Sequence, residues 1–86
     1  MEFSSRAISE TIRQIRLEKG LSQEVLSGLA DIGRSHLAMI ETGKKKANME
    51  TIWKIAAALD MKPSEFLHQV ERCMEAQGKK RNANLQ

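Results

Sequence analysis

The side chains best suited to chemistry, two histidines and one cysteine, do not form a catalytic or metal site. His36, His68 and Cys73 are separated by intervals that match no metal-ligand spacing known to us. Neither the cysteine nor any serine lies in a recognisable nucleophile context. We therefore expect no enzyme activity, no metal ion and no cofactor.

Basic side chains are the remaining candidates, and they are unevenly distributed. The sequence carries 14 Lys and Arg against 11 Asp and Glu, a net charge of +3. Residues 1–43 have a net charge of −1 and residues 44–86 a net charge of +4. Lysine triplets of this kind favour a polyanionic partner, although a charge run in a loop is also typical of a plain solvated surface. The surplus lies mainly in Lys44, Lys45, Lys46, Lys79, Lys80 and Arg81.

Length and composition describe the body that must carry these groups. A chain of 86 residues fills one small domain, and 41% hydrophobic residues is ordinary for a folded one. Three aromatic residues and a single proline favour helices over strands. One cysteine allows no internal disulfide, and the sequence shows neither a membrane-spanning run nor a signal peptide. We expect a soluble, cytoplasmic, all-α domain with no membrane partner.

Helical periodicity and capping residues divide residues 1–76 into one domain of five helices, followed by a polar, basic tail at 77–86. In the first helix, Ile8, Ile12 and Ile15 share one face after a serine cap at Ser4. Glycine, proline and polar turns separate the others, and Ser22 and Asn48 are the expected caps of the second and fourth helices. The predicted helices cover residues 5–19, 23–30, 34–41 and 49–59, with a fifth from 63 to near Gln77. The tail is expected to be mobile.

The second and third helices are short, and this is the most informative local pattern. Each has about eight residues, and Asp31-Ile32-Gly33 joins them. Helices of this length are unstable alone, so the other three must hold them. Two short helices joined by a tight turn form the helix-turn-helix, whose second helix projects into a DNA major groove. A common apolar face supports this pairing: Leu26, Ala30, Ile32, Leu37 and Ile40.

Four segments carry a family resemblance: IRQIR at 12–16, GLSQE at 20–24, IETGK at 40–44 and IAAAL at 55–59. Their order and spacing resemble the lambda-repressor/Cro-like (Xre-type) DNA-binding domains over about residues 8–70. The resemblance implies a compact five-helix bundle with the helix-turn-helix at about residues 23–41. The sequence departs from the family at Asp31, where glycine usually adopts a left-handed turn conformation that aspartate tolerates at some cost.

The resemblance also implies roles for individual residues. Gln23 matches a phosphate-contacting glutamine at the start of the second helix, where free amides attract anions. Arg34 opens the recognition helix, and its planar guanidinium matches the two acceptors on a guanine edge. Helical periodicity also turns positions 35, 38, 39 and 42 outward. The expected base-reading residues are Arg34, Ser35, Ala38, Met39 and Thr42, and the expected phosphate-binding residues are Ser22, Gln23, His36, Lys44, Lys45 and Lys46.

Two further groups complete the expected site. Arg16 and Glu41 match a partly buried structural ion pair of the family, so neither is counted as a DNA contact. His36 fits a partly exposed histidine without a role as well as it fits a phosphate contact. The apolar stripe on the last helix is longer than one small core needs, which points to a second copy of the chain, although ordinary core packing is the alternative. The expected dimer contacts are Trp53, Leu67, Val70 and Met74.

These features predict a sequence-specific DNA-binding transcriptional regulator. Two copies about 34 Å apart would read successive turns of a palindromic operator as a homodimer. A free-standing chain of this size resembles the controller proteins of restriction-modification systems, although phage repressors and antitoxins share the architecture. RNA polymerase is a further candidate partner, and no small-molecule ligand is expected. The alternative is an antitoxin or protein-interaction module that acts mainly by binding a partner protein.

Overall fold

Five α-helices follow one another in a computed structural model that describes residues 4–85, with side chains described for residues 4–77. They are α1 (Ser5–Glu18), α2 (Gln23–Ala30), α3 (Arg34–Glu41), α4 (Met49–Ala58) and α5 (Pro63–Leu85). Residues 4–85 contain no strand. In the same range, no helix is long and apolar enough to cross a membrane. The all-α prediction is confirmed.

Local side-chain caps determine where three of the helices begin. The predicted caps Ser4, Ser22 and Asn48 are confirmed, because each side-chain oxygen accepts a hydrogen bond from the backbone N–H three residues later, at 3.2, 3.0 and 2.8 Å. Helix α5 begins differently, with the Lys62 N–H donating to Glu65 Oε1 at 2.9 Å. Each bond satisfies a first-turn donor or a neighbouring amide that the helix itself leaves unpaired.

The turn between α2 and α3 has the left-handed conformation expected at Asp31, with φ 56° and ψ 46°. The Asp31 N–H donates to Gly28 O at 3.3 Å, and the Ile32 N–H donates to Ser27 O at 3.0 Å. These bonds occupy carbonyls at the end of α2 that would otherwise lack partners. The turn therefore closes in three residues and sets the direction in which α3 leaves α2.

One core holds the short helices in place. Each helix contributes a side chain that is completely buried: Ile12 from α1, Leu26 from α2, Leu37 from α3, Ile55 from α4 and Phe66 from α5. Burying a side chain of this size contributes about 1.5–3 kcal/mol relative to leaving it exposed. Helices α2 and α3 are too short to persist alone, so their stability comes from this shared core.

Helix α5 continues to Leu85, and its predicted end near Gln77 and Gly78 is wrong. A glycine inside a helix costs about 1 kcal/mol relative to alanine but does not by itself end the helix, and lysine and arginine are good helix formers. The mobility of residues 77–86 and the division after residue 76 stay predictions. Residues 1–3 and the side chains of Lys79, Lys80 and Arg81 lie outside the part of the chain that the structure describes.

Candidate nucleic-acid interface

Helix α3 buries one face and presents the other to solvent. Leu37 and Ile40 are 0% and 1% exposed, and they anchor the helix on the core. The residues expected to read bases lie on the opposite side. Arg34, Ser35, Met39 and Thr42 are exposed, and Ala38 is half-buried. The outward face is therefore a short stripe of one guanidinium, two hydroxyls and two apolar side chains.

The N-terminal end of α3 is open to an external acceptor. Gly33 caps the helix without a side-chain hydrogen bond, so no side chain occupies the first-turn amides. Among the described residues, Arg34 forms no side-chain hydrogen bond and no ion pair. A free guanidinium beside free helix amides is suited to an anion or to the acceptors of a base edge.

Thr42, at the other end of the stripe, has a more restricted role than expected. Its hydroxyl donates back to the helix, at 3.0 Å from Ala38 O and 3.2 Å from Met39 O. Because a hydroxyl has one proton, Thr42 in this conformation offers an external partner only its lone pairs. It can accept from a base amino group, whereas a phosphate, which only accepts, would require the side chain to rotate.

The lysine triplet at 44–46 follows Thr42 and Gly43 after the end of α3 and is open to solvent. All three lysines are exposed. Gly43 has a φ of +78°, and the backbone N–H groups of Lys44 and Lys45 both donate to Met39 O, at 2.9 and 3.2 Å. The loop is thus folded back against the last turn of α3. The triplet therefore extends the α3 stripe with positive charge at its C-terminal end.

The remaining expected phosphate contacts lie at the helix starts. Ser22 is exposed, but its hydroxyl already accepts the N–H of Val25 as the α2 cap. His36 is half-buried on the flank of α3. Gln23 is half-buried, and its Nε2 donates to Glu41 Oε1 at 3.2 Å. The Gln23 bond connects an expected DNA contact to the interior of the domain, which the sequence did not indicate.

Arg16 and Glu41 form a buried ion pair between α1 and α3. Arg16 Nε donates to Glu41 Oε2 at 2.8 Å and Nη2 donates to Oε1 at 2.9 Å, which is the bidentate geometry. The two side chains are 10% and 3% exposed. Arg16 Nη1 also donates to Leu21 O at 2.8 Å, at the entrance to α2. One guanidinium therefore joins α1, the start of α2 and the end of α3, and neither charge is available to a base.

A second polar link to α3 was not anticipated. Ser9 is buried, and its hydroxyl donates to Ile40 O at 2.6 Å. The same carbonyl accepts from Gly43 N–H at 3.1 Å, so the Ser9 bond is an additional one that ties the last turn of the recognition helix to α1. The signal in the sequence is weak, because Ser9 merely flanks the stripe formed by Ile8, Ile12 and Ile15.

The expected dimer contacts separate into two groups. Trp53 is 58% exposed, and Leu67 and Met74 are half-buried. Val70 is only 5% exposed and belongs to the core. It lies on the face of α5 that packs on the core of the protomer, and its role at a dimer interface stays a prediction. Leu29 and Met49, at 61% and 55%, are exposed apolar residues that the sequence did not single out.

The groups considered for catalysis remain apart. Within the described residues, no three His, Cys, Asp or Glu side chains are grouped as a metal site. Burial raises the pKa of the Cys73 thiol, the Glu10 carboxylate adds to this effect, and a hydrogen bond with Thr11 opposes it. A nucleophilic cysteine needs the opposite shift. The thiol is therefore poorly suited to covalent catalysis.

Comparison with known proteins agrees with this geometry. Residues 12–66 match the family described as helix-turn-helix. The chain is 37% identical over 59 residues to the control protein C.BamHI of Bacillus amyloliquefaciens, covering 67% of this chain and 73% of that protein. It is 31% identical over 67 residues to the transcriptional regulator SutR of Escherichia coli K12, covering 78% of this chain but only 38% of SutR.

A solved structure gives the same result. The restriction-modification controller protein C.AhdI from Aeromonas hydrophila superposes with a TM-score of 0.69 at 35% identity, covering 72% of this chain and 94% of that one. These relatives are regulators and not enzymes, in agreement with the expectation of no catalytic activity. With a family match over most of its length and relatives above 30% identity, the chain belongs to the helix-turn-helix family of lambda-repressor-like (Xre-type) DNA-binding domains.

Proposed function

We propose that this protein is a transcriptional regulator of the restriction-modification controller type that binds a palindromic operator as a homodimer. The observation that carries the proposal is the outward face of α3, where Arg34 has no side-chain partner among the described residues and lies beside helix amides that no side chain caps. A recognition helix contacts base edges with its N-terminal residues, which are the residues that are free here.

The site divides into groups that recognise sequence and groups that supply affinity. Arg34 reads a guanine, Met39 contacts a thymine methyl, and Ser35 contacts a base or a phosphate. Ala38 and Thr42 complete the base-reading face. Ser22, Gln23, His36 and the lysine triplet bind phosphates, which position the domain without carrying sequence information.

The homodimer follows from the size of the recognition element. One eight-residue helix contacts few base pairs, and a second copy doubles the site that is read. Trp53 supports this assembly, because tryptophan is enriched at the centres of protein interfaces and this side chain is exposed on α4. The likeness to C.BamHI and C.AhdI, both named as controllers, supports the regulatory role. A contact with RNA polymerase stays a prediction.

The test is a fluorescence anisotropy titration of the protein against two labelled duplexes. One carries the region upstream of its own gene, and the other carries the same bases scrambled. We expect the upstream duplex to bind at least about 10³-fold more tightly at a fixed salt concentration near physiological ionic strength. Equal affinity for the two duplexes would contradict an operator-binding function and would favour the protein-interaction alternative.

A further inference from the structure

We propose that Glu41 is a positioning residue for DNA binding, because its carboxylate holds the Gln23 amide in the orientation that donates to a phosphate. This inference rests on the proposed function. It assigns the buried Arg16–Glu41 pair a second role besides stability, since one of its oxygens also accepts from a residue at the DNA-facing start of α2. The observation that supports it is the hydrogen bond from Gln23 Nε2 to Glu41 Oε1, at 3.2 Å.

The donor–acceptor chemistry of this contact determines how the amide is turned. An ionised carboxylate only accepts hydrogen bonds, so the nitrogen of the Gln23 amide, and not its oxygen, must face Glu41. The amide nitrogen carries two N–H groups. One is used by Glu41, and the second remains available at the start of α2. Without Glu41, the Gln23 amide would rotate between two orientations that exchange its nitrogen and its oxygen. Only one of these orientations keeps an N–H available to a phosphate at the start of α2.

The ion pair makes this arrangement compatible with a nearby anion. Glu41 is negative and would repel a phosphate, but Arg16 pairs with both of its oxygens at 2.8 and 2.9 Å. The bidentate pair offsets the carboxylate charge where it is buried. The acidic residue in the first turn of α2 itself is Glu24, which is exposed, so the high dielectric of water weakens its repulsion of a phosphate.

The same network positions the backbone that surrounds the amide. Arg16 Nη1 donates to Leu21 O at 2.8 Å, one residue before the Ser22 cap. The entrance to α2 is thus held through its backbone by Arg16 and through the Gln23 side chain by Glu41. The first-turn amides of Gln23 and Glu24 are not capped by Ser22, whose oxygen accepts Val25 N–H instead. The Gln23 side chain adds a donor to two backbone donors already directed outward.

A double-mutant cycle on operator affinity separates positioning from plain structural support. The proteins are wild type, Gln23→Ala, Glu41→Gln and the double variant, titrated on one cognate duplex. We expect Gln23→Ala to weaken binding about tenfold, as the loss of a hydrogen bond to a charged acceptor does. Glu41→Gln should weaken the wild type severalfold yet leave the Gln23→Ala protein unchanged. Gln23→Ala should also leave the salt dependence unchanged, because an amide displaces no counterion.

Gln14→Ala is the matched control. Gln14 forms the same type of bond, from Nε2 to Glu18 Oε1 at 3.3 Å, but on the exposed face of α1. The Gln14→Ala protein should bind the cognate duplex as tightly as the wild type does. If Glu41→Gln weakens the wild type and the Gln23→Ala protein by the same factor, Glu41 acts only through the fold and the inference is wrong. If the wild type binds no duplex, the proposed function and the inference both fail. If the wild type binds but the effects of the two substitutions are additive, only the inference is rejected.

Side-chain NMR keeps the inference testable where Glu41→Gln fails to fold. In the free wild-type protein, the Gln23 side-chain amide should have an order parameter close to the rigid-backbone value of about 0.85, and that of Gln14 should fall below about 0.6. A Gln23 amide as mobile as that of Gln14 would show that Glu41 does not hold it, and the inference would be overturned without any variant.

Discussion

Arg34 is the residue on which base recognition most directly depends in the proposed complex. We expect Arg34→Ala to cost about 1–3 kcal/mol on the cognate site and to relax discrimination at one base position, since a bidentate contact with guanine is lost. The measurement is a set of titrations against the operator and its single-base variants. Arg13→Ala is the control, because it removes the same charge from an exposed position on α1. A loss of equal size on every duplex would reassign Arg34 to a phosphate.

Lys45 represents the other kind of contact, in which charge alone acts. Lys45→Ala should weaken binding to all duplexes alike and reduce the slope of log K against log salt by about 1, because one fewer counterion is released. Titration at four or more salt concentrations measures this slope. Lys19→Ala, an exposed lysine at the end of α1, is the control and should leave it unchanged. An unchanged slope for Lys45→Ala as well would identify the triplet as a solvated loop.

Side-chain types and spacing were sufficient to predict many residue properties, but not the long-range ones. The exposure of Arg34 and the burial of Leu37 follow from helical periodicity, which is encoded within a few residues. The hydrogen bond from Gln23 to Glu41 spans 18 residues, and that from Ser9 to Ile40 spans 31. Such contacts depend on how helices are placed in three dimensions, and no local pattern contains that information.

At the scale of the elements, helix starts were predictable and helix ends were less so. A start is fixed by a cap within three residues, as at Ser22 and Asn48. The end of α5 was misplaced because Gly78 lowers helix propensity without opposing helix formation sterically. Val70, which was expected at a dimer interface, illustrates a related limit of local patterns. Periodicity identifies the apolar face of α5, but only packing shows how much of that face the protomer itself covers.

Gly28 inside α2 and Gly43 just after α3 allow a test that separates helix propensity from backbone geometry. Gly28 lies inside α2, and an added Cβ would have no neighbour within 4 Å. Gly28→Ala should therefore stabilise the protein by about 0.5–1 kcal/mol. Gly43 also has room for an added Cβ, but its φ is +78°, which is unfavourable for alanine. Gly43→Ala should therefore destabilise the protein by about 1–2 kcal/mol. Urea unfolding at one protein concentration measures both, and stabilisation by both substitutions would contradict the geometric argument.

At the scale of the whole molecule, the surplus of positive charge lies apart from the proposed base-reading face. The net charge is +3, yet residues 1–43, which include the recognition helix, have a net charge of −1. The basic surplus follows α3 in the loop at 44–46 and occurs again at 79–81. We therefore expect non-specific attraction to come from segments outside the proposed base-reading face. Affinity would then vary with salt, while specificity would stay with a few α3 side chains.

The assembly of two copies is the prediction that depends on the whole molecule. Trp53 is 58% exposed on α4, and we expect Trp53→Glu to weaken homodimerisation by about 30-fold, as truncation of a central aromatic contact does. Sedimentation equilibrium over a range of concentrations measures the dissociation constant. Leu17→Glu is the control, because Leu17 is 56% exposed on α1 and lies outside the expected interface.

The weakened dimer should also lose its preference for a two-half-site operator over a single half-site, since that preference requires both recognition helices on one duplex. Equal association by the wild type and Trp53→Glu would remove Trp53 from the interface, and a wild type that is monomeric on a palindromic duplex would contradict the dimer itself.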